Sequence, residues 1–129
     1  MSRNARAFLA LGALAVALAV ALGAAASHGL RAHLAANDPA GWFATALQYH
    51  QWQAFGLMLV GLAAARFPSR WFVAAGWLIV AGLLLFSGNL YLRSVFGVHA
   101  FHVVTPWGGA AFIAGWVCVA VGALRARAA

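Results

Sequence analysis

Histidines are the residues of this chain best suited to chemistry, because imidazole binds metal ions and carries protons near neutral pH. The sequence contains five: His28, His33, His50, His99 and His102. No glutamate and no HxH array accompanies them, and the lone Cys118 stands apart in an apolar run typical of a small core residue. The pattern therefore predicts no metal and no cofactor, while a haem on two facing helices, for example on His28 and His50, stays an open alternative.

Two further polar groups interrupt otherwise apolar stretches of the sequence. One comprises Thr45, Gln48, Tyr49, His50, Gln51 and Gln53, and the other comprises Asn89, Tyr91 and Arg93. Polar groups inside a membrane are costly unless they face the interior of a bundle or a wet cavity. They therefore indicate either an outward-facing binding site or a structural role. For the first group that role is a solvated helix top hydrogen-bonded to the loops. For the second it is hydrogen bonding between helices, with Arg93 reaching back to the interface.

The binding interpretation predicts that Arg93 holds an anionic group and that histidine, glutamine and asparagine side chains orient it. The candidate binding residues are His28, Tyr49, His50, Gln53, Asn89, Tyr91, Arg93 and Thr105. No enzyme is predicted, since Asp38 is the only acid and acid–base catalysis by paired carboxylates needs two. Asp38 precedes Pro39, a pattern typical of the start of a helix.

Composition places the chain in a membrane. It is 66% hydrophobic and 7% charged, with a mean hydropathy of +0.92, whereas soluble domains carry roughly 25% charged residues. The net charge of +7 comes from arginines that occur mostly in pairs at the edges of apolar stretches. Such pairs favour anionic lipid headgroups over nucleic acid. A single transmembrane domain over residues 1–129, in contact with the lipid bilayer, is therefore predicted.

Four apolar stretches, at about 7–26, 42–65, 71–92 and 104–124, are each long enough to cross roughly 30 Å of hydrocarbon. We therefore expect an all-α, four-helix integral membrane bundle. Six of the eight arginines lie at the two termini or in the second connection: Arg3, Arg6, Arg66, Arg70, Arg125 and Arg127. By the positive-inside rule, both termini are predicted to be cytoplasmic. The first stretch also resembles a secretory signal with a cleavage site at 24–26, but its length favours a retained helix.

Several motifs resemble those of a known family. They are Leu85–Leu92 (LFSGNLYL), Thr105–Gly109 (TPWGG) and Phe112–Trp116 (FIAGW). Together with Gly23–His28, they resemble the small bacterial membrane proteins called domain of unknown function 423, related to eukaryotic transmembrane protein 256. The resemblance extends from about Leu11 to Arg127. It implies that the first helix is retained, and it names no activity.

The chain departs from the pattern of that family at three places. Asn89 stands where the family usually has serine, and Ala26 stands near a usual glycine. The family's Tyr-Gln-x-x-His run reads Tyr49-His50-Gln51-Trp52-Gln53 here, so histidine and glutamine have exchanged places. The exchange keeps the pair three residues apart on one helix face, which suits hydrogen bonding better than strict metal ligation.

These observations predict a small, non-enzymatic protein of the bacterial inner membrane whose outward-facing polar cluster binds a partner, a lipid or a small solute. One alternative is a small oligomeric transporter or channel, although the polar residues occupy only one half of the predicted membrane depth. Another is an accessory subunit of a larger complex, or a homo-oligomer. Gly108, Gly115 and Gly122 form a small-residue stripe, which fits association with a partner and packing inside the bundle equally well.

Overall fold

A computed structural model describes residues 1–127 of the protein, and all of the regular secondary structure in this range is helical. Within this range there is no strand. The segments are α1 (Arg3–Ser27), α2 (Arg31–Asn37), α3 (Trp42–Arg66), α4 (Arg70–Gly82), a π-helical segment (Leu83–Gly88), α5 (Asn89–Phe96), a 3₁₀ turn (His102–Val104) and α6 (Thr105–Arg125). Since α4, the π-helical segment and α5 follow one another without a break, they form one long helix, Arg70–Phe96. We call it the third helical stretch, because it corresponds to the third apolar stretch of the sequence. The predicted all-α membrane bundle is confirmed.

The bundle consists of two helix pairs that share one core. Helix α1 packs along α3, and α6 packs along α4. Four strongly buried side chains of the core, Phe8, Leu57, Val60 and Ile79, come from α1, α3 and α4. We call the end with the connections 28–41 and 97–104 the loop end, and the end with the connection 67–69 the arginine end.

Among the residues that the structure describes, three helices are long and apolar enough to cross a membrane, namely Arg3–Ser27, Arg70–Phe96 and His102–Arg125. Helix α3 has 25 residues, but it is less apolar because polar side chains crowd its first three turns. Two of these side chains, His50 and Gln53, are buried inside the bundle. A membrane crossing by α3 therefore stays a prediction, supported by its length and its central position.

The polar residues that flank the helices have separate roles. The carboxylate of Asp38 accepts hydrogen bonds from the backbone N–H groups of Trp42 and Phe43, both at 3.0 Å, so the only acid of the chain stabilises the start of α3. Thr105 precedes Pro106 as Asp38 precedes Pro39, and this pattern is typical of a cap. Instead, it is the first residue of α6 without a capping bond, and its hydroxyl accepts a hydrogen bond from Asn89.

The glycine stripe of α6 packs inside the bundle. A Cβ atom on Gly108 would lie 2.5 Å from the backbone nitrogen of Phe86, and one on Gly115 would lie 3.2 Å from Ile79. Gly122 faces Phe72 in the same manner. The stripe thus brings α6 against α4 and the π-helical segment. Packing inside the bundle accounts for these glycines without association with a second protein.

Orientation in the membrane is testable with reporter fusions. Because six arginines lie at or next to the arginine end, we expect a fluorescent protein fused after Ala129 to mature in the cytoplasm and alkaline phosphatase fused there to be inactive. Phosphatase fused within the connection 97–101 should be active. The opposite pattern of activities would reverse the predicted topology.

Candidate functional site

His50 connects three helices at the centre of the bundle. Its Nε2 lies 2.8 Å from the carbonyl oxygen of Ala15 in α1, and its Nδ1 lies 2.7 Å from the hydroxyl oxygen of Tyr91 in α5. Since a carbonyl can only accept, Nε2 carries the proton and Nδ1 accepts from the tyrosine hydroxyl. The imidazole is only 4% exposed. Both ring nitrogens are therefore engaged in hydrogen bonds between helices.

Gln53 forms a second connection, from α3 to α6. Its Oε1 accepts a 2.7 Å hydrogen bond from the indole N–H of Trp116. One turn farther along α3, a Cβ atom on Gly56 would lie 2.3 Å from the ring of Trp116, so the absence of a side chain makes room for the indole. Position 53 therefore requires an acceptor, which either glutamine or the family's histidine supplies.

Asn89 joins the third helical stretch to the connection before α6. Its amide Nδ2 donates to the carbonyl oxygen of Phe101 at 3.0 Å and to the hydroxyl of Thr105. Its Oδ1 is buried and has no partner within residues 1–127. Nearby, the hydroxyl of Ser87 donates to the carbonyl oxygen of Ala46 at 3.0 Å. These bonds fix α5 and α6 against each other and against α3.

Arg93 lies apart from these buried bonds, in a polar pocket at the loop end. Its guanidinium carbon lies 3.9 Å from the centroid of the Trp42 ring, and its Nε donates to Nδ1 of His99 at 3.3 Å. His33 closes another side of the pocket and bonds to the carbonyl oxygen of Val95 at 2.8 Å. The pocket has a volume of about 310 Å³. The guanidinium of Arg93 is held in place within it by Trp42 and His99.

Of the remaining two candidates, His28 lies outside these clusters, whereas Tyr49 lines a pocket together with Gln53. His28 is exposed at the end of α1, where its backbone N–H bonds to Ala25. Tyr49 packs against Phe86 and Phe112, with ring centroids 4.8 and 6.4 Å away. The eight predicted residues therefore do not form one pocket. Instead they form separate small groups, such as His50 with Tyr91 and Asn89 with Thr105.

Three residues that position the candidates were not among those predicted from the sequence. Trp42 and His99 hold Arg93, and Trp116 donates to Gln53. Trp42 stands at the start of an apolar stretch, a position typical of a tryptophan at the membrane interface. Arg93 lies far from Trp42 in the sequence, so the cation–π contact between them could not be predicted from the spacing of residues along the chain. Within residues 1–127, no group of three or more His, Cys, Asp or Glu side chains converges to hold a metal.

Comparison with known proteins identifies the family. Residues 22–109 match the family described as Protein of unknown function (DUF423). The chain belongs to the DUF423 family. The resemblance recognised in the sequence motifs is thereby confirmed, while the matched range is shorter than Leu11 to Arg127.

Full-length relatives of this DUF423 chain carry membrane-protein names. The UPF0382 membrane protein YwdK of Bacillus subtilis is 40% identical over 119 residues, covering 92% of this chain and 96% of the relative. The UPF0382 inner membrane protein YgdD of Escherichia coli K12 is 34% identical over 108 residues, covering 84% and 82%. No solved structure matches the chain. With its apolar helices, the protein is a multi-pass inner-membrane protein, as predicted.

Proposed function

We propose that this protein is a non-enzymatic binding protein that holds the phosphate of an anionic membrane lipid at its loop end. The observation that carries the proposal is the fixed guanidinium of Arg93. Its Cζ lies 3.9 Å from the centroid of the Trp42 ring, and its Nε–H donates to Nδ1 of His99. A guanidinium held in this way keeps its two Nη groups for a phosphate, which it binds with a planar fork of donors.

Arg93 has no acidic partner within residues 1–127. The only carboxylate side chain, that of Asp38, accepts two backbone hydrogen bonds at the start of α3. No hydrogen bond within the described residues engages the Nη groups of Arg93. Because the guanidinium stays charged and has no carboxylate beside it, a phosphate in this pocket would supply the missing negative charge.

Aromatic side chains around the loop end support a lipid as the source of the phosphate. Phe96, Phe101 and Trp107 are 73%, 53% and 71% exposed, respectively. Tryptophan in particular favours the depth of the lipid headgroups. The pocket of Arg93 lies on the same end of the bundle, so a headgroup phosphate has a short path into it.

The apolar half of the bundle favours binding over conduction. Polar side chains buried within residues 1–127 come from the half nearer the loop end: His50, Gln53, Ser87, Asn89 and Ser94. Toward the arginine end, the core consists of side chains such as Phe8, Val60 and Phe72. A channel or a transporter needs polar groups along its whole path.

The proposal is tested by native mass spectrometry of the protein in mild detergent, titrated with phosphatidylglycerol. We expect Arg93→Gln to weaken lipid binding by at least about tenfold, because one charge-assisted hydrogen bond is worth roughly 1.5–3 kcal/mol. Arg93→Lys should give an intermediate affinity, since lysine keeps the charge but lacks the planar fork. Arg31→Gln is the matched control, because Arg31 is exposed at the same end of the bundle.

Equal losses of lipid affinity for Arg93→Gln and Arg31→Gln would contradict the proposal, because they would show that binding depends on net charge alone. Thermal melting of each variant in detergent verifies that the fold is retained. Soluble glycerol phosphate is then added as a competitor. Displacement at millimolar concentration would assign the site to a free phosphate compound, whereas retention of the lipid supports a headgroup held together with its chains.

A further inference from the structure

A second pocket lies between α1, α3 and the third helical stretch, away from Arg93. Its volume is about 250 Å³, slightly below the roughly 300–1,000 Å³ of ordinary ligand pockets. Most of its lining is apolar, for example Leu11 and Leu57, and its polar atoms come from His50, Ser87 and Tyr91. The pocket therefore suits an apolar molecule with one small polar group.

The pocket forms where α1 and the third helical stretch separate. Near the arginine end these two elements are in close contact, because the ring of Phe8 packs against Gly76 and Trp77. Toward the loop end they make few direct contacts, and the pocket fills the space between them. Its rim includes Leu18 and Leu84, which are 53% and 70% exposed. In a membrane this rim faces hydrocarbon, so a ligand enters from the lipid.

One wall of the pocket belongs to the π-helical segment, Leu83–Gly88. A π-turn is rare, and such turns are frequent at functional sites because they widen the helix and redirect its side chains. Here the segment contributes two leucines and Ser87 to the lining. The irregular backbone thus coincides with the pocket.

The hydrogen-bond donors of the pocket are already in use. Nε2–H of His50 donates to the carbonyl of Ala15, and the hydroxyl of Tyr91 donates to Nδ1 of His50. The hydroxyl of Ser87 donates to the carbonyl of Ala46. Within residues 1–127, the hydroxyl oxygens of Tyr91 and Ser87 accept no hydrogen bond. Each oxygen therefore has a lone pair free to accept one. The polar end of the pocket can accept hydrogen bonds but has no donor to offer.

We propose that this pocket binds a lipid-soluble alcohol, whose hydroxyl donates a hydrogen bond to the hydroxyl oxygen of Tyr91 while its hydrocarbon chain lies along α1. Tyr91 is the acceptor because Ser87 is only 2% exposed. A carboxylate, phosphate or ketone group finds no free donor there, and burying such a group without a partner is costly. The proposal is independent of the anion site, because it uses different residues and an uncharged ligand.

The test compares hexadecanol with hexadecyl methyl ether and hexadecanoate, each titrated into the detergent-solubilised protein and followed by native mass spectrometry. We expect the alcohol to bind at least about fivefold more tightly than the ether, because only the alcohol donates a hydrogen bond. Hexadecanoate should bind no better than the ether. Equal affinity for the alcohol and the ether in the wild-type protein would overturn the proposal without any variant.

Variants then locate the binding. In the double variant His50→Leu/Tyr91→Phe, which removes both the tyrosine oxygen and the imidazole acceptor, the preference for alcohol over ether should fall at least twofold. The other tyrosine supplies the control, because Tyr49 lies outside this pocket and Tyr49→Phe should keep the full preference. An unchanged preference in the double variant would also refute the assignment. Arg93→Gln should leave alcohol binding intact, which separates this proposal from the phosphate site.

Discussion

Replacing Gly108 by alanine is expected to lower the free energy of unfolding by about 1–3 kcal/mol, since forced overpacking of a core costs this much. The added Cβ would lie 2.5 Å from the backbone nitrogen of Phe86 and 2.8 Å from the carbonyl carbon of Leu85. These are backbone atoms, so a side-chain rotation cannot relieve the contact. Helix α6 must therefore move away from the π-helical segment. Thermal unfolding in detergent, followed by circular dichroism, measures the loss.

The next residue provides a matched control. A Cβ on Gly109 would lie 3.8 Å from the ring of Phe86, an ordinary contact distance. Alanine favours a helix over glycine by up to about 1 kcal/mol at either position, so Gly109→Ala should unfold at the same temperature as the wild type or higher. If both variants were equally stable, the close approach of α6 would be contradicted.

Replacing Gln53 by leucine is expected to destabilise the bundle by about 1–3 kcal/mol. The substitution removes the acceptor of the indole N–H of Trp116, which then lacks a partner in an apolar interior. Gln53→His should retain most of the stability, because a neutral imidazole also offers an acceptor nitrogen. The measurement is thermal unfolding in detergent, together with Trp116→Phe to complete a double-mutant cycle.

The double-mutant cycle measures how far the stability effects of Gln53→Leu and Trp116→Phe depend on each other. Adding Trp116→Phe to Gln53→Leu should cost less than the sum of the two single changes, since the double variant leaves no polar group unpaired. Gln51 supplies the control, because it is exposed on the same helix, and Gln51→Leu should leave the unfolding temperature nearly unchanged. Additive effects would mean that the 2.7 Å bond contributes no stability.

Most of the fold follows from hydrophobic length and arginine position. A stretch of about 20 apolar residues forms a helix in lipid because its backbone groups must be satisfied internally, and this predicts α1, the third helical stretch and α6. Several details do not follow. No pattern in the run Leu83–Gly88 distinguishes a π-helical segment from an ordinary helix. Thr105 followed by proline indicates a cap, yet the nearby Asn89 bonds to its hydroxyl instead.

The candidate site was predictable in its residue types and unpredictable in its grouping. His50, Gln53 and Asn89 were recognised because polar groups in apolar stretches need a partner. Their partners were not recognised, because His50 and Tyr91 lie 41 positions apart and Gln53 and Trp116 lie 63 apart. A single converging cluster was therefore expected where the protein has several separate contacts.

The sequence by itself determined the membrane class, the family and the ends at which positive and polar groups accumulate. These properties depend on composition along the chain, which needs no knowledge of packing. Only the tertiary structure decided that Arg93 rests on Trp42 and that His50 bridges α1 and α5. Such pairings depend on the rotation and register of each helix, which are set by close packing of rings against glycines such as Gly76.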